Sequence, residues 1–273
     1  MEDSRHTITA RENGRRAAHL EQTSLLGQDV NSSRDLDLDE SENTMASLRF
    51  HFDNFKTFEP KLRMLLARKL HNYASGERTT GELSPLPPSY NHNGYNPHIV
   101  ESRGGEVREW LGVEQAPLGD VLALLESKGI KILLHPFPSE ISGLSAYSEE
   151  VGGIIFVNSK HPTKRKYFTA LHELGHLILH RSEYGKALSG KDRERESAAN
   201  HFAGALLMPD NVLKQELLHY RQRWIPEPLL QDLKLRYQIS MKMILVRATQ
   251  VGLIQVAQKE QQYASLEKKY GIT

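Results

Sequence analysis

The chain has 273 residues, with 35 Lys and Arg against 34 Asp and Glu, a formal net charge of +1, and no cysteine. Such balance argues against a broad electrostatic grip on nucleic acid as the main activity, although a local basic patch stays compatible with it. The missing thiol excludes disulfides and thiolate metal sites, so any metal here is held by imidazole and carboxylate.

Residues 1–44 are polar and include the acidic run Asp35 to Glu42, which reads as a disordered tail. From Met45 to Ala74, Leu62, Leu65, Leu66, Lys69 and Leu70 fall near helical spacing and predict an amphipathic helix. Gly76 and the prolines Pro85, Pro87 and Pro88 end it, so residues 45–97 read as a helix followed by a Pro-rich linker. No segment approaches the roughly 18 to 20 apolar residues that span a bilayer, and the first residues lack a secretory apolar run, which points to a soluble cytoplasmic protein.

A core domain is expected over residues 98–210. Helical patterns occupy IVESRGGEVREWLGV, weakened by Gly104 and Gly105, and LGDVLALLESKG, where Gly129 supplies the stop. Three short strands are predicted at Ile130 to Leu134, Leu144 to Ser148 and Gly153 to Asn158. A helix from about Thr163 to His180 and another from about Arg193 to Met208, ended at Pro209, complete this region. Residues 211–273 read as a helical C-terminal region of two or three helices, with Pro226 and Pro228 at a break and Ser240 as an N-cap.

Within the first of these two core helices stands His172-Glu173-Leu174-Gly175-His176, with Phe168, Leu171, Leu174 and Ile178 as its buried stripe. Positions four apart lie on one helix face about 6 Å along the axis, so two imidazoles converge on a single ion. Glu173, one residue along, is placed to act on water without ligating. The five-residue pattern alone also fits a metal-free buried helix. Gly175, at an interior position that costs on the order of 1 kcal/mol against alanine, implies that something packs closely there.

In RERESAANHFAGALLMP the apolar face of Ala199, Ala203, Leu206 and Leu207 extends back to Glu196, with Asn200 beside it. A carboxylate on that face needs a partner, which is either a zinc ion or a nearby arginine. Glu194 falls on the polar side and reads as a solvated charge. The twenty residues from His176 to Glu196 allow an antiparallel return, and Asn200 can accept a hydrogen bond from a free ring N–H of His172 or His176. A straight helix keeps His180 about 12 Å from His172, so it reads as a packing or dipole-facing residue. No histidine stands where the longer HExxHxxGxxH pattern needs it, because Ile178, Leu179 and Ser182 occupy the relevant positions. The fold class expected is α+β, a small twisted sheet packed on the HExxH helix in the manner of zincins, with additional C-terminal helices.

HELGHLILH followed by ERESAANHFAGALLMP resembles the ImmA/IrrE metallo-endopeptidases of bacteria, phages and mobile elements, over about residues 100 to 210. The resemblance implies Zn2+ held by His172, His176 and Glu196, with Glu173 activating water. It also implies a protein substrate, a helix-turn-helix repressor whose cleavage relieves repression. Many relatives carry an amino-terminal helix-turn-helix domain that residues 1–97 do not repeat, and a second acidic residue where this chain has Ala198. The expected chemistry is metal-assisted peptide hydrolysis, with Glu173 taking the proton of water and passing it to the leaving amine. GIIFVN is expected as an edge strand that pairs with an extended substrate. Tyr147, Tyr167, Tyr184 and His201 are candidates to stabilise the oxyanion. The C-terminal helix pair, with Lys234, Arg236, Lys242 and Arg247, either contacts DNA or a partner or simply packs on the core. The competing functional readings are a non-proteolytic regulatory or antitoxin-like binding protein and a DNA-binding transcription factor.

Overall fold

Asn96 begins the first helix, α1 (Pro97–Leu111), by accepting hydrogen bonds from the backbone N–H groups of His98 and Ile99, with proline at the first helical position. Asp120 caps α2 (Val121–Ser127) in the same way through Leu122 and Ala123. The computed structural model describes residues 49–50, 65–66, 68–69, 86–90, 94–149, 151–184, 192–221 and 224–271. The tail expected over residues 1–44 and most of the helix and linker expected over 45–97 lie outside them, though 65–66 and 68–69 are helical.

Four strands form one sheet among the described residues: β1 (Arg49–Phe50), β2 (Lys131–His135), β3 (Gly143–Ser148) and β4 (Gly152–Asn158). The order is β1-β3-β4-β2, antiparallel except for the β2–β4 pair. This corrects the expectation that GIIFVN is an edge strand, because β4 is paired on both sides. Its residues from Gly153 to Asn158 are all buried, as a strand covered on both faces requires. Alternate side chains serve different layers. Ile132, Ile155 and Val157 join the helical core, whereas Leu133, Leu144, Ala146, Ile154 and Phe156 pack with Phe137 and the fully buried Leu66.

Helix α3 (Thr163–Leu179) lies in the helical core with Leu171, Leu174 and Ile178 buried, and α4 (Asp192–Leu207) follows. Two buried guanidiniums satisfy the carbonyls at the end of α4: Arg108 of α1 donates to Leu206 O, and Arg247 donates to Met208 O through Nε at 3.2 Å and Nη2 at 3.1 Å. The sequence reading had not singled out Arg108.

Beyond Pro209 the described residues hold four helices rather than two or three: α5 (Asp210–Glu216), α6 (Glu227–Arg236), α7 (Met241–Gln250) and α8 (Val256–Tyr270). The additional one is α5, since Pro209 ends α4 and at once serves as the N-cap of a seven-residue helix. Ser240 caps α7, its hydroxyl accepting from Met243 N at 3.0 Å. Leu230, Leu233, Ile244, Leu245 and Ala248 share one core with Phe202 and Leu206 of α4, so this helix pair packs on the rest of the fold. Arg247 is fully buried and is thereby removed from the candidate surface contacts. Arg236 is paired with Glu216 and Asp232, each at 2.7 Å, and Lys242 lies over the Tyr263 ring.

Candidate metal centre

Helices α3 and α4 approach closely because Gly175 presents no side chain to α4. A Cβ at that position would stand 3.2 Å from Ala199 Cα and 3.2 Å from Phe202 Cδ1. The close approach inferred from this interior glycine is therefore supplied by the neighbouring backbone. The contacts of His172 with Asn200 and of His176 with Glu196 run in opposite directions along the two helices, as an antiparallel return requires.

At this crossing, His172 Nε2 and His176 Nε2 stand 3.0 Å apart. Glu196 Oε2 is 3.3 Å from the first and Oε1 is 3.3 Å from the second. Glu196 is only half-buried, with 43% of its side chain exposed, so the cluster opens to solvent on the α4 side. Glu194 is exposed. The outer nitrogens of both rings are engaged elsewhere: His172 Nδ1 with Asn200 Oδ1 at 3.1 Å, and His176 Nδ1 with His180 Nδ1 at 3.0 Å.

Burial would push the Glu196 carboxyl up, but its hydrogen bonds to His172 and His176 outweigh burial and hold it well below the usual range. Burial lowers His176 to about 3. His172 is also desolvated, yet Glu196 and the charge of Glu173 bring it above its ordinary value.

Glu173 is buried on the side of α3 that faces β3. Ser145 Oγ donates to its Oε2 at 2.8 Å, and Ser145 Oγ itself meets Tyr184 OH at 2.8 Å. Gly143 permits the strand to come this near, because a Cβ there would lie 2.5 Å from Thr169 Cγ2 and 3.4 Å from Glu173 Cγ. Burial pushes the Glu173 carboxyl up to about 7, with the His172 charge and the Ser145 bond opposing it.

Of the four oxyanion candidates, Tyr184 reaches this cluster, through Ser145, and it does so from a buried position. Tyr147 donates to Glu149 at 3.0 Å, and Tyr167 is paired with Asp120. His201 is bonded to Tyr95 OH at 2.7 Å and to Glu101 at 2.6 Å, on the opposite flank of α4. The sequence reading missed Ser145 and the contact of His180 with His176. Strand alternation carried a signal for the first: Ser145 pairs with Ile155, which faces the helices, so a hydroxyl on that side of β3 is set among apolar neighbours.

Two imidazole nitrogens and a carboxylate, all within 4.8 Å of one another, match the donor set of a hydrolytic zinc site with an open fourth position. Both Nδ1 atoms are turned outward to partners, so the Nε2 atoms are left for an ion, and the residues fit one.

A mixed α+β fold built around this three-donor cluster defines the class of protein. Residues 125–249 match the Peptidase_M78 family, described as the IrrE N-terminal-like domain. The match bears out the resemblance to the ImmA/IrrE group, and it begins later and ends later than the span from about 100 to 210 read from the motifs. Comparison with curated proteins finds no match. A solved structure, a Mycobacterium tuberculosis transcriptional regulator, is similar at 16% identity over 57% of this chain and 47% of that one, with a TM-score of 0.41. This chain thus spans about half of that protein, and so loose a likeness carries no argument. No helix among the described residues is long and apolar enough to cross a membrane.

Proposed function

We propose that the chain is a zinc-dependent endopeptidase that hydrolyses a peptide bond in a partner protein, a helix-turn-helix repressor, and so relieves repression in the cytoplasm. The observation that carries this reading is the convergence of His172 Nε2, His176 Nε2 and both Glu196 oxygens beside a buried Glu173. In this reading residues 98–210 are the peptidase core and 211–273 the helical region that closes it, with 1–44 as a tail and 45–97 as a helix and linker.

His172, His176 and Glu196 hold the ion. When bound, zinc supplies Lewis-acid activation of the scissile carbonyl and of the attacking water. Glu173 takes the water proton and delivers it to the leaving amine, and a carboxyl near pH 7 exchanges a proton at little cost in either direction. Ser145 binds Glu173 Oε2 and Tyr184 holds Ser145, so the base is kept in one orientation. Because β4 is paired on both sides, an extended substrate segment pairs along an edge of the sheet rather than along β4.

The test is incubation of the zinc-loaded chain with a helix-turn-helix repressor from the same genome, with fragments read by intact mass. Glu173→Gln is expected to lower the cleavage rate by about 100-fold or more. A repressor left uncut by the wild type, or cut equally by the variant, overturns the reading.

A further inference from the structure

The position four residues beyond His176 carries a third histidine, which the helical row places beside His176 and leaves remote from His172. Helix α3 ends at Leu179, and His180 is its C-cap with φ −128° and ψ 2°, its backbone N–H bonded to His176 O at 2.9 Å. The ring of this C-cap residue lies against that of His176 one turn before it. His180 Nδ1 lies 3.0 Å from His176 Nδ1, and the two ring centroids are 5.2 Å apart. His176 is 1% exposed and His180 9%, so solvent does not stand in for this contact.

We propose that His180 is a positioning residue for the metal centre: its Nδ1 accepts the Nδ1 proton of His176, fixing His176 in the tautomer and ring orientation that aims Nε2 at the ion. The inference rests on the reading of His172, His176 and Glu196 as the ligands. A ligating Nε2 carries no proton, so a neutral His176 bears its single ring proton on Nδ1. That N–H is buried and needs an acceptor, and an unprotonated His180 Nδ1 stands 3.0 Å away to take it. His180 then carries its own proton on Nε2. His172 has its equivalent in the Asn200 amide oxygen, so the two ligands are oriented by different groups, one from α4 and one from the end of their own helix. The bond from α4 depends on how two helices pack. The bond from His180 is built into α3 itself and holds His176 even where α4 shifts.

The experiment measures Zn2+ affinity of the full chain by competition with a chromophoric chelator, alongside the ligand-field spectrum of the Co2+-loaded protein. The variants are His180→Leu, which removes the acceptor, and His180→Asn, whose amide oxygen takes the place of Nδ1. His180→Leu is expected to weaken Zn2+ binding by roughly 10- to 100-fold and to change the Co2+ spectrum, while His180→Asn restores most of the affinity. Long-range 15N–1H correlation on the wild-type zinc-loaded chain reads the tautomer directly and needs no variant to fold; it is expected to report the proton of His176 on Nδ1. Unchanged affinity in a folded His180→Leu, equal losses in both variants, or a His176 proton on Nε2 each overturn the assignment. A wild-type chain that binds no Zn2+ overturns the metal-centre reading itself, and this assignment with it.

Discussion

Helix α4 carries two clusters in which glutamate meets imidazole, and they differ in where the positive charge comes from. On one flank, Glu101 of α1 accepts from His201 Nε2 at 2.6 Å and from Arg247 of α7, whose Nη1 and Nη2 lie 2.6 Å and 3.1 Å from its two oxygens. Arg247 is fully buried, and Gly204 leaves room for its stem, since a Cβ there would meet Arg247 Cδ at 2.7 Å. On the other flank the oxygens of Glu196 face two imidazole nitrogens and the cluster opens toward solvent. The first cluster brings its own cation and functions as a clamp that ties α1, α4 and α7 together. The second aims lone pairs at a common point, an arrangement that a cation from outside would complete.

Arg247→Met leaves Glu101 without its counter-charge and Met208 O without its donor, and is expected to lower stability by about 3 to 5 kcal/mol in chemical denaturation. The Zn2+ affinity of the molecules that remain folded should be little changed, and a matching loss there would join the two clusters into one.

Next in size is the acid dependence of the clamp. Burial raises the Glu101 carboxyl, but the hydrogen bonds from His201 and Arg247 outweigh it and bring the group from 4.5 to about 2. A lowered carboxyl stabilises the fold above about pH 4.5, and that contribution is lost as pH falls from there toward 2. It amounts to about 3 kcal/mol at about 1.4 kcal/mol per pH unit. Subtracting the pH–stability curve of Glu101→Gln from that of the wild type isolates it, and two parallel curves between pH 5 and 2.5 would show that Glu101 contributes nothing of the kind.

The open cluster should respond to metal instead. Zn2+ at about 100 times its dissociation constant should raise wild-type stability by about 2.7 kcal/mol, seen as a higher Tm. Glu196→Gln, measured from its own metal-free Tm, should lose most of that rise at the same Zn2+ concentration. A full zinc response in the variant removes Glu196 from the ligand set.

The smallest effect sharpens the contact between the helices. Gly175→Ala gains about 1 kcal/mol of helix propensity but overpacks the Ala199 and Phe202 contacts, for a net loss of about 1 kcal/mol. Because the same contact sets the distance from His176 to Glu196, Zn2+ affinity should fall along with stability, and calorimetric titration of the variant checks it.

Much of the open cluster was legible before any fold was known. His172 and His176 are one helical turn apart, Glu196 extends an apolar face by the same period, and Gly175 marks a close approach; each is a local regularity with a local cause. The strands were legible too, although β4 was placed at the edge. Its unbroken apolar run, Gly153 to Val157, already had the character of a strand covered on both faces. The clamp was not legible, because Glu101, His201 and Arg247 are separated by 100 and 46 positions and no period links them. Arg247 looked like a surface base for the same reason: its charge is visible in the sequence and its counter-charge is not.

The sequence by itself determined the helix that presents two imidazoles, the helix that returns a carboxylate to them, and the donor chemistry that a cysteine-free chain must use. Only the tertiary structure decided that Ser145, bonded to Tyr184, holds Glu173, that His180 Nδ1 meets His176 Nδ1, and that Arg247 belongs to the interior. Periodicity is a property of neighbours along the chain and survives in one dimension. Charge compensation and the orientation of a ring depend on which distant atoms arrive within about 3 Å, and packing alone settles that.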